Sequence, residues 1–216
     1  MKIVTEDLLN SILDSLEQID YVKTEDIPNI DLYMDQVTTF MDTKMKGSAR
    51  HPEEDKILTK TMINNYAKNN LLPPPIKKKY TKEHMLLLIF IYYFKGILSI
   101  GDISKLLEPL TERFFYEKEG FSLEDIYNEV FSLERQEIER MKKDVAEKFQ
   151  RAEETFSNAP EDSGEFLRQF SFICMLSFDV YVKKQMIEKM IDNMGKSNVE
   201  GQSSGKKETR EKNKEK

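Results

Sequence analysis

Three consecutive prolines, Pro73-Pro74-Pro75, separate two stretches that otherwise read as helix, and they constrain the fold more than any other feature of the chain. Proline has no N–H to donate and pushes the residue before it out of the α region, so three in succession can neither continue a helix nor lie inside a sheet. The chain must stop, leave extended and restart. Upstream, Thr59 can cap a helix to about Asn70, with Met62, Ile63 and Tyr66 sharing one face by three- and four-residue spacing. The other face of that helix shows Lys60, Thr61, Asn64, Asn65 and Lys68. Downstream come Lys77-Lys78-Lys79-Tyr80 and a helix expected from Thr81 to near Gly96.

This stretch is also the basic part of an acidic protein. The 216-residue chain has a formal charge of -6, yet between Lys56 and Lys95 eight lysines stand against one acid, Glu83, a net +7. Residues 206–216 carry a net +3, which leaves about -16 for the remainder. One basic patch on an acidic body is the footprint of a protein that meets a polyanion at one place. The residue types suit DNA: asparagine can pair bidentately with adenine in the major groove, threonine can meet the thymine methyl, and lysine meets phosphate. Taken alone, the same residues read as a solvated polar face beside a turn, which is what most such faces are.

Elsewhere the pattern is helical. Thr5 can cap a helix with Leu8, Leu9, Ile12, Leu13, Leu16 and Ile19 on one side, and Asp31 a second, to about Met45, with Leu32, Val37, Phe40 and Met41 inward. Residues 46–55 read as a loop. Ser99 and Asp102 form a capping box for a helix to about Leu107, which Pro109 closes, and Ser122 and Asp125 form another. From there Ile126, Val130, Leu133, Ile138, Met141, Val145, Phe149 and Phe156 recur mostly every three or four residues, which predicts one amphipathic helix about 50 Å long. A turn at 158–164 leads to a last helix over 165–194, apolar on nearly every side in its first half, with Gly195 at its end. Beyond Val199 no apolar residue remains, and such a segment cannot bury enough surface to fold alone.

Nothing in this pattern points to an enzyme, a metal or a cofactor. His51 and His84 lack partners at metal-ligand spacing, and there is no phosphate-cradling glycine loop or nucleophile elbow. His84, near the start of an apolar helix, reads as structural, and Cys174 as a buried small hydrophobe. The run 85–94 is too short for a bilayer, and acids interrupt the N-terminus where a signal peptide would be apolar, so a cytoplasmic protein without membrane contact is expected. Phe170, Phe172, Met175, Phe178 and Tyr181 read as core packing, or as a pocket for a hydrophobic effector of unknown identity.

Residues 59–103 resemble the winged helix-turn-helix of the MerR class of bacterial regulators. Asn64-Asn65-Tyr66 lies where that class has an Arg-Tyr-Tyr-like element, Leu71-Leu72-Pro73 matches its turn, Lys77, Lys78, Lys79 and Tyr80 match its wing, and 99–103 (SIGDI) resembles its closing helix. The link over 45–58 is longer than in that class. Over roughly 25–110 the chain is also similar to an uncharacterised bacterial family of unknown function, whose members carry IPxIDLYMDQV, LTKTMINNY and PPPxKKKY almost as written here. The expectation is an all-α protein: an N-terminal helix (1–30), a MerR-like DNA-binding domain (31–110), a helical bundle for dimerisation and sensing with a long amphipathic helix (111–195), and a disordered charged tail (196–216). The resemblance implies a sequence-specific double-stranded DNA-binding homodimer and a transcriptional regulator. It implies contacts through Lys60, Thr61, Asn64, Asn65, Lys68, Lys77, Lys78, Lys79 and Tyr80. The alternative is a helical adaptor, or an RNA-binding protein, whose lysine patch meets an acidic partner.

Overall fold

The computed structural model describes residues 5–17, 21–51, 53–117 and 120–211, with side chains to Met194 apart from those of residues 5, 6, 8, 17, 135, 161 and 162. After α1 (Thr5–Glu17) and a 3-10 turn at Thr24–Asp26 come β1 (Leu32–Tyr33), α2 (Met34–Met45), α3 (Lys60–Lys68), β2 (Lys79–Tyr80), α4 (Lys82–Lys95) and α5 (Ile100–Phe114). They are followed by α6 (Leu123–Ser132), α7 (Glu134–Glu153) and α8 (Glu161–Glu211). The all-α expectation holds except for one short antiparallel pair, in which Leu32 faces Tyr80 and Tyr33 faces Lys79.

α4 is the axis of the larger core. Every residue from His84 to Ile91 is buried, as an apolar run with no polar side demands, because such a helix must be covered all round. Val37 and Met41 from α2, Ile63 and Tyr66 from α3, Ile103 and Leu107 from α5, and Leu123 and Tyr127 from α6 pack in the same cluster. Tyr127 closes it from the far side. Its hydroxyl donates to the Val22 carbonyl at 2.6 Å, and its ring lies 4.4 Å from Phe131 and 5.4 Å from Phe90. Burial pushes the Tyr127 phenol far above its ordinary range. Among the described residues no helix is long and apolar enough to cross a membrane.

A smaller core forms where α1 and α8 pack on α7. Val145, Phe149, Ala152 and Phe172 are its buried members, with Leu9, Ile12, Leu13 and Leu16 of α1 against them. Ile19 lies outside the described residues. Lys148 ties α7 to α8: it pairs with Asp144 one turn earlier and with Asp179 at 2.7 Å, and these two carboxylates raise its pKa. Further along, α8 reaches the larger core. Ile191 is buried there, and Asp192 stands 3.7 Å from Lys105 of α5.

Several element ends differ from the sequence expectation. Asp31 does not cap α2, because Leu32 and Tyr33 are committed to pairing with β2; Gln36 instead accepts the Tyr33 N–H at 2.9 Å. Pro109 lies inside α5, which runs to Phe114 rather than ending near Leu107. The carbonyl that Pro109 cannot bond belongs to the exposed Lys105, so water can satisfy it. The single 50 Å helix is two helices divided at Leu133, just before the five-residue gap between Leu133 and Ile138. Val130, Leu133, Met141 and Phe156 of that stripe are exposed, and Phe156 lies beyond the end of α7 in the left-handed region. α8 passes through Gly195 to Glu211, so 196–211, expected to be disordered, continues as helix, and 212–216 lies outside the described residues. Extending an existing helix avoids the nucleation that an isolated segment would have to bear.

The first half of α8 also differs. Phe172 and Met175 face the core, but Phe170 is 51% exposed, Phe178 and Tyr181 are exposed, and so is Cys174. In this half of the helix only the α7 side is covered, so Phe172 and Met175 pack as core while Phe170, Phe178 and Tyr181 do not.

Candidate nucleic-acid interface

The Thr59 hydroxyl starts α3 by accepting the Met62 N–H at 3.2 Å. Ile63 and Tyr66 are buried and hold one face of α3 on the core, with Met62 half-buried beside them. Lys60, Thr61, Asn64, Asn65 and Lys68 are all exposed, as the spacing predicts. The helix ends on Asn70 in the left-handed region at φ 56°, and the Leu71 and Leu72 N–H groups both donate to the Tyr66 carbonyl, at 2.9 and 3.3 Å. Leu71, Leu72 and Pro73 are buried, so the exit from the helix is fixed before the chain reaches the surface.

The segment after the prolines is a tight hairpin. Ile76 and Lys79 exchange both backbone hydrogen bonds, at 3.1 and 3.0 Å. Lys77 and Lys78 form the two-residue tip at φ 51° and 65°. Both tip residues are thus left-handed, the arrangement of a type I′ turn, for which Asn-Gly is the favoured pair. Lys79 then pairs with Tyr33, so β1, β2 and Ile76 make a small antiparallel wing beside α2.

Two contacts bring the helix and the wing to one corner. Lys60 at the start of α3 pairs with Asp35 at the start of α2. Lys79 places its ammonium 5.3 Å from the ring centre of Tyr33, two residues before Asp35. Lys60 and Lys79 therefore already have partners, while Lys77 and Lys78 are exposed at the tip. Tyr33, 53% exposed, was not singled out by sequence; its only signal was the register of a strand too short to be read.

Tyr80 is a correction. It is 3% exposed and packs edge-on to His84 at 5.4 Å, so it anchors the wing and cannot reach a nucleic acid. His84 is structural, as expected, and it holds the base of the wing. Its Nδ1 accepts the Thr81 N–H at 3.0 Å, which leaves the proton of the neutral ring on Nε2. Nε2 makes no hydrogen bond of ordinary geometry, although the Pro73 and Pro74 carbonyls lie on its side. Burial holds the His84 pKa below the usual histidine range, against the weaker upward pull of those carbonyls, Glu83 and Asp31.

Folding also changes the electrostatics of the basic window. Lys82 pairs with Glu124 of α6 at 2.7 Å. Lys95 donates to the Ile57 carbonyl at 2.7 Å and lies 4.6 Å from the Tyr92 ring centre; burial lowers its pKa, with Asp55 pulling the other way. With Lys60 on Asp35, three of the eight lysines are taken up by acids or carbonyls from other elements. No group of His, Cys, Asp and Glu suited to a metal ion occurs among the described residues.

No curated protein and no solved structure matches this chain. The model of one family does, across the wing, the larger core and α6: residues 22–130, half of the chain, match a domain of unknown function, and the chain belongs to that family, DUF1836.

Proposed function

We propose that this protein is a sequence-specific DNA-binding protein of MerR-like winged helix-turn-helix type, a cytoplasmic transcriptional regulator that acts as a homodimer. The observation that carries the reading is the wing tip. Lys77 and Lys78 occupy left-handed positions that cost an L-residue roughly 1–2 kcal/mol each, where Asn-Gly would be relaxed. A strained tip that displays two ammonium groups to solvent suits contact with phosphate better than it suits stability. Thr61, Asn64 and Asn65 are the base-reading candidates on that face, and Lys68 a phosphate contact at its far end.

The dimer rests on exposed apolar surface. Val130 of α6, Leu133 at the α6–α7 junction, Met141 of α7, and Phe166, Phe170 and Ile173 of α8 are uncovered. A two-fold dimer buries them and offers two reading heads to a near-palindromic site. The adaptor reading draws on the same surface together with the acids that neutralise part of the lysine patch. Selection from a random duplex pool, followed by fluorescence anisotropy on the enriched sequence, tests the choice. Enrichment of a two-fold motif supports the regulator; no enrichment over bulk DNA supports the adaptor.

A further inference from the structure

The smaller core is not filled. α1, α7 and α8 enclose a largely closed cavity of about 220 Å³, with Ile12, Phe149, Ala152, Phe172 and Leu176 in its wall. A dry interior cavity of about 150 Å³ can hold benzene, whereas drug-sized ligands take about 300 Å³ or more. The space suits an apolar molecule with on the order of ten heavy atoms.

The wall is apolar except where Arg168, Glu153 and Gln169 stand. Arg168 is held in an uncommon way. Its Nε is 3.9 Å from Glu153, the outer limit of an ion pair, and among the described residues Glu153 is its one ion partner. The rest of the guanidinium lies back over Gly164, one turn earlier, where an added Cβ would meet Nη1 at 3.2 Å. Glycine is unfavourable within a helix. Here the glycine leaves room beside Nη1, and the guanidinium stands at the cavity wall with Nη1 and Nη2 able to donate.

We propose that this cavity binds a medium-chain aliphatic carboxylic acid. The chain lies among Ile12, Phe149, Phe172 and Leu176, and the carboxylate accepts from the Arg168 Nη groups, whose planar fork matches it. The site does not rest on the nucleic-acid reading, since α1, α7 and α8 carry none of the wing residues. It also lies on the α7 side of α8, away from the exposed Phe170, Phe178 and Tyr181.

The test is calorimetric titration of the full chain with octanoate and with octan-1-ol, an uncharged partner of equal length. Saturable one-to-one binding is expected, with octanoate at least about tenfold tighter, the worth of a charge-assisted hydrogen bond. Arg168→Gln should erase that preference and leave octan-1-ol binding within about twofold. Ala152→Met fills the cavity from its wall and should weaken both ligands about tenfold or more. Circular dichroism melts report whether each variant folds; Leu176→Phe is the second filling variant if Ala152→Met does not. No saturable octanoate binding, octan-1-ol as tight as octanoate, or undiminished binding in a folded filled variant overturns the proposal. No DNA enters these titrations, so their failure leaves the regulator reading standing, and a failure of DNA binding leaves this site standing.

Discussion

Replacing Lys77-Lys78 with Asn-Gly should make the protein more stable and a poorer DNA binder at once. Both positions are left-handed, at φ 51° and 65°. Each costs an ordinary L-residue roughly 1–2 kcal/mol, while asparagine tolerates that region and glycine enters it freely. Asparagine keeps about half of its cost and glycine returns about 0.5–1 kcal/mol as extra freedom of the unfolded chain, so the net gain should be about 1–2 kcal/mol. For a chain of this size that is a rise in Tm of roughly 2–8 °C. Removing two phosphate contacts per head should lower the slope of log affinity against log salt by about 2 per head, or about 4 for a dimer on two half-sites. Urea denaturation reports the first effect and anisotropy titrations over a potassium chloride series the second. Lys77→Gln with Lys78→Gln is the control: it removes the charge but keeps the strained turn, so only the salt slope should fall. A more stable Asn-Gly variant with an unchanged salt slope would mean that the wing does not touch DNA. A less stable one would mean that the tip is not strained as described.

Other expectations are as direct. Asn64→Ala and Asn65→Ala should each relax the selected motif by roughly 1–3 kcal/mol of base discrimination and leave stability within about 0.5 kcal/mol, since both side chains are exposed; the same motif from wild type and both variants excludes α3 as the reader. Tyr127→Phe should cost about 1–3 kcal/mol in chemical denaturation because it strands the buried Val22 carbonyl, and a loss under about 0.5 kcal/mol would show that water replaces the bond. The lowered His84 pKa means that its contribution is fully present above the ordinary histidine value of 6.5 and is lost as pH falls from there towards the lower folded value. The urea midpoint should therefore drop on acidification through that window in wild type but not in His84→Gln, and identical profiles would clear His84. Val130→Glu with Met141→Glu, both at exposed positions, should give a monomer by light scattering with weakened DNA affinity; a wild type already monomeric at micromolar concentration defeats the dimer.

Where the sequence was legible, a local rule decided the structure. Thr59, Ser99 and Ser122 cap their helices because a hydroxyl before an amphipathic run has few other uses. Met62, Ile63 and Tyr66 turn inward because spacing alone puts them on one face. What could not be read was set by partners distant in the chain. Asp31 loses its cap because β2, nearly fifty residues on, takes Leu32 and Tyr33. Tyr80 looks like a wing residue in sequence, yet it is buried because His84 and the larger core lie beneath it. Cys174 looks like core because its neighbours are apolar, but only one side of α8 is covered. The +7 window counted lysines along the chain, whereas Asp35 and Glu124 reach them through space.

That last difference bears on how such a protein could recognise DNA. Lys60 and Lys82 are ion-paired and Lys95 is turned onto the Ile57 carbonyl, so the free cations of the window reduce to Lys56, Lys68, Lys77 and Lys78, with Lys79 over Tyr33. The rest of the chain, apart from the basic C-terminal stretch, carries about -16, and at physiological ionic strength fields decay over about 8 Å. On the proposed reading, a duplex meets net negative charge over most of the remaining chain, and one approaching the wing gains only at close range. Weak long-range attraction lowers affinity for bulk DNA more than for a site where Asn64 and Asn65 find their bases, because base contacts do not depend on counterion release. A modest, strained, narrowly placed set of cations thus favours a high ratio of specific to non-specific binding over high affinity for DNA in general.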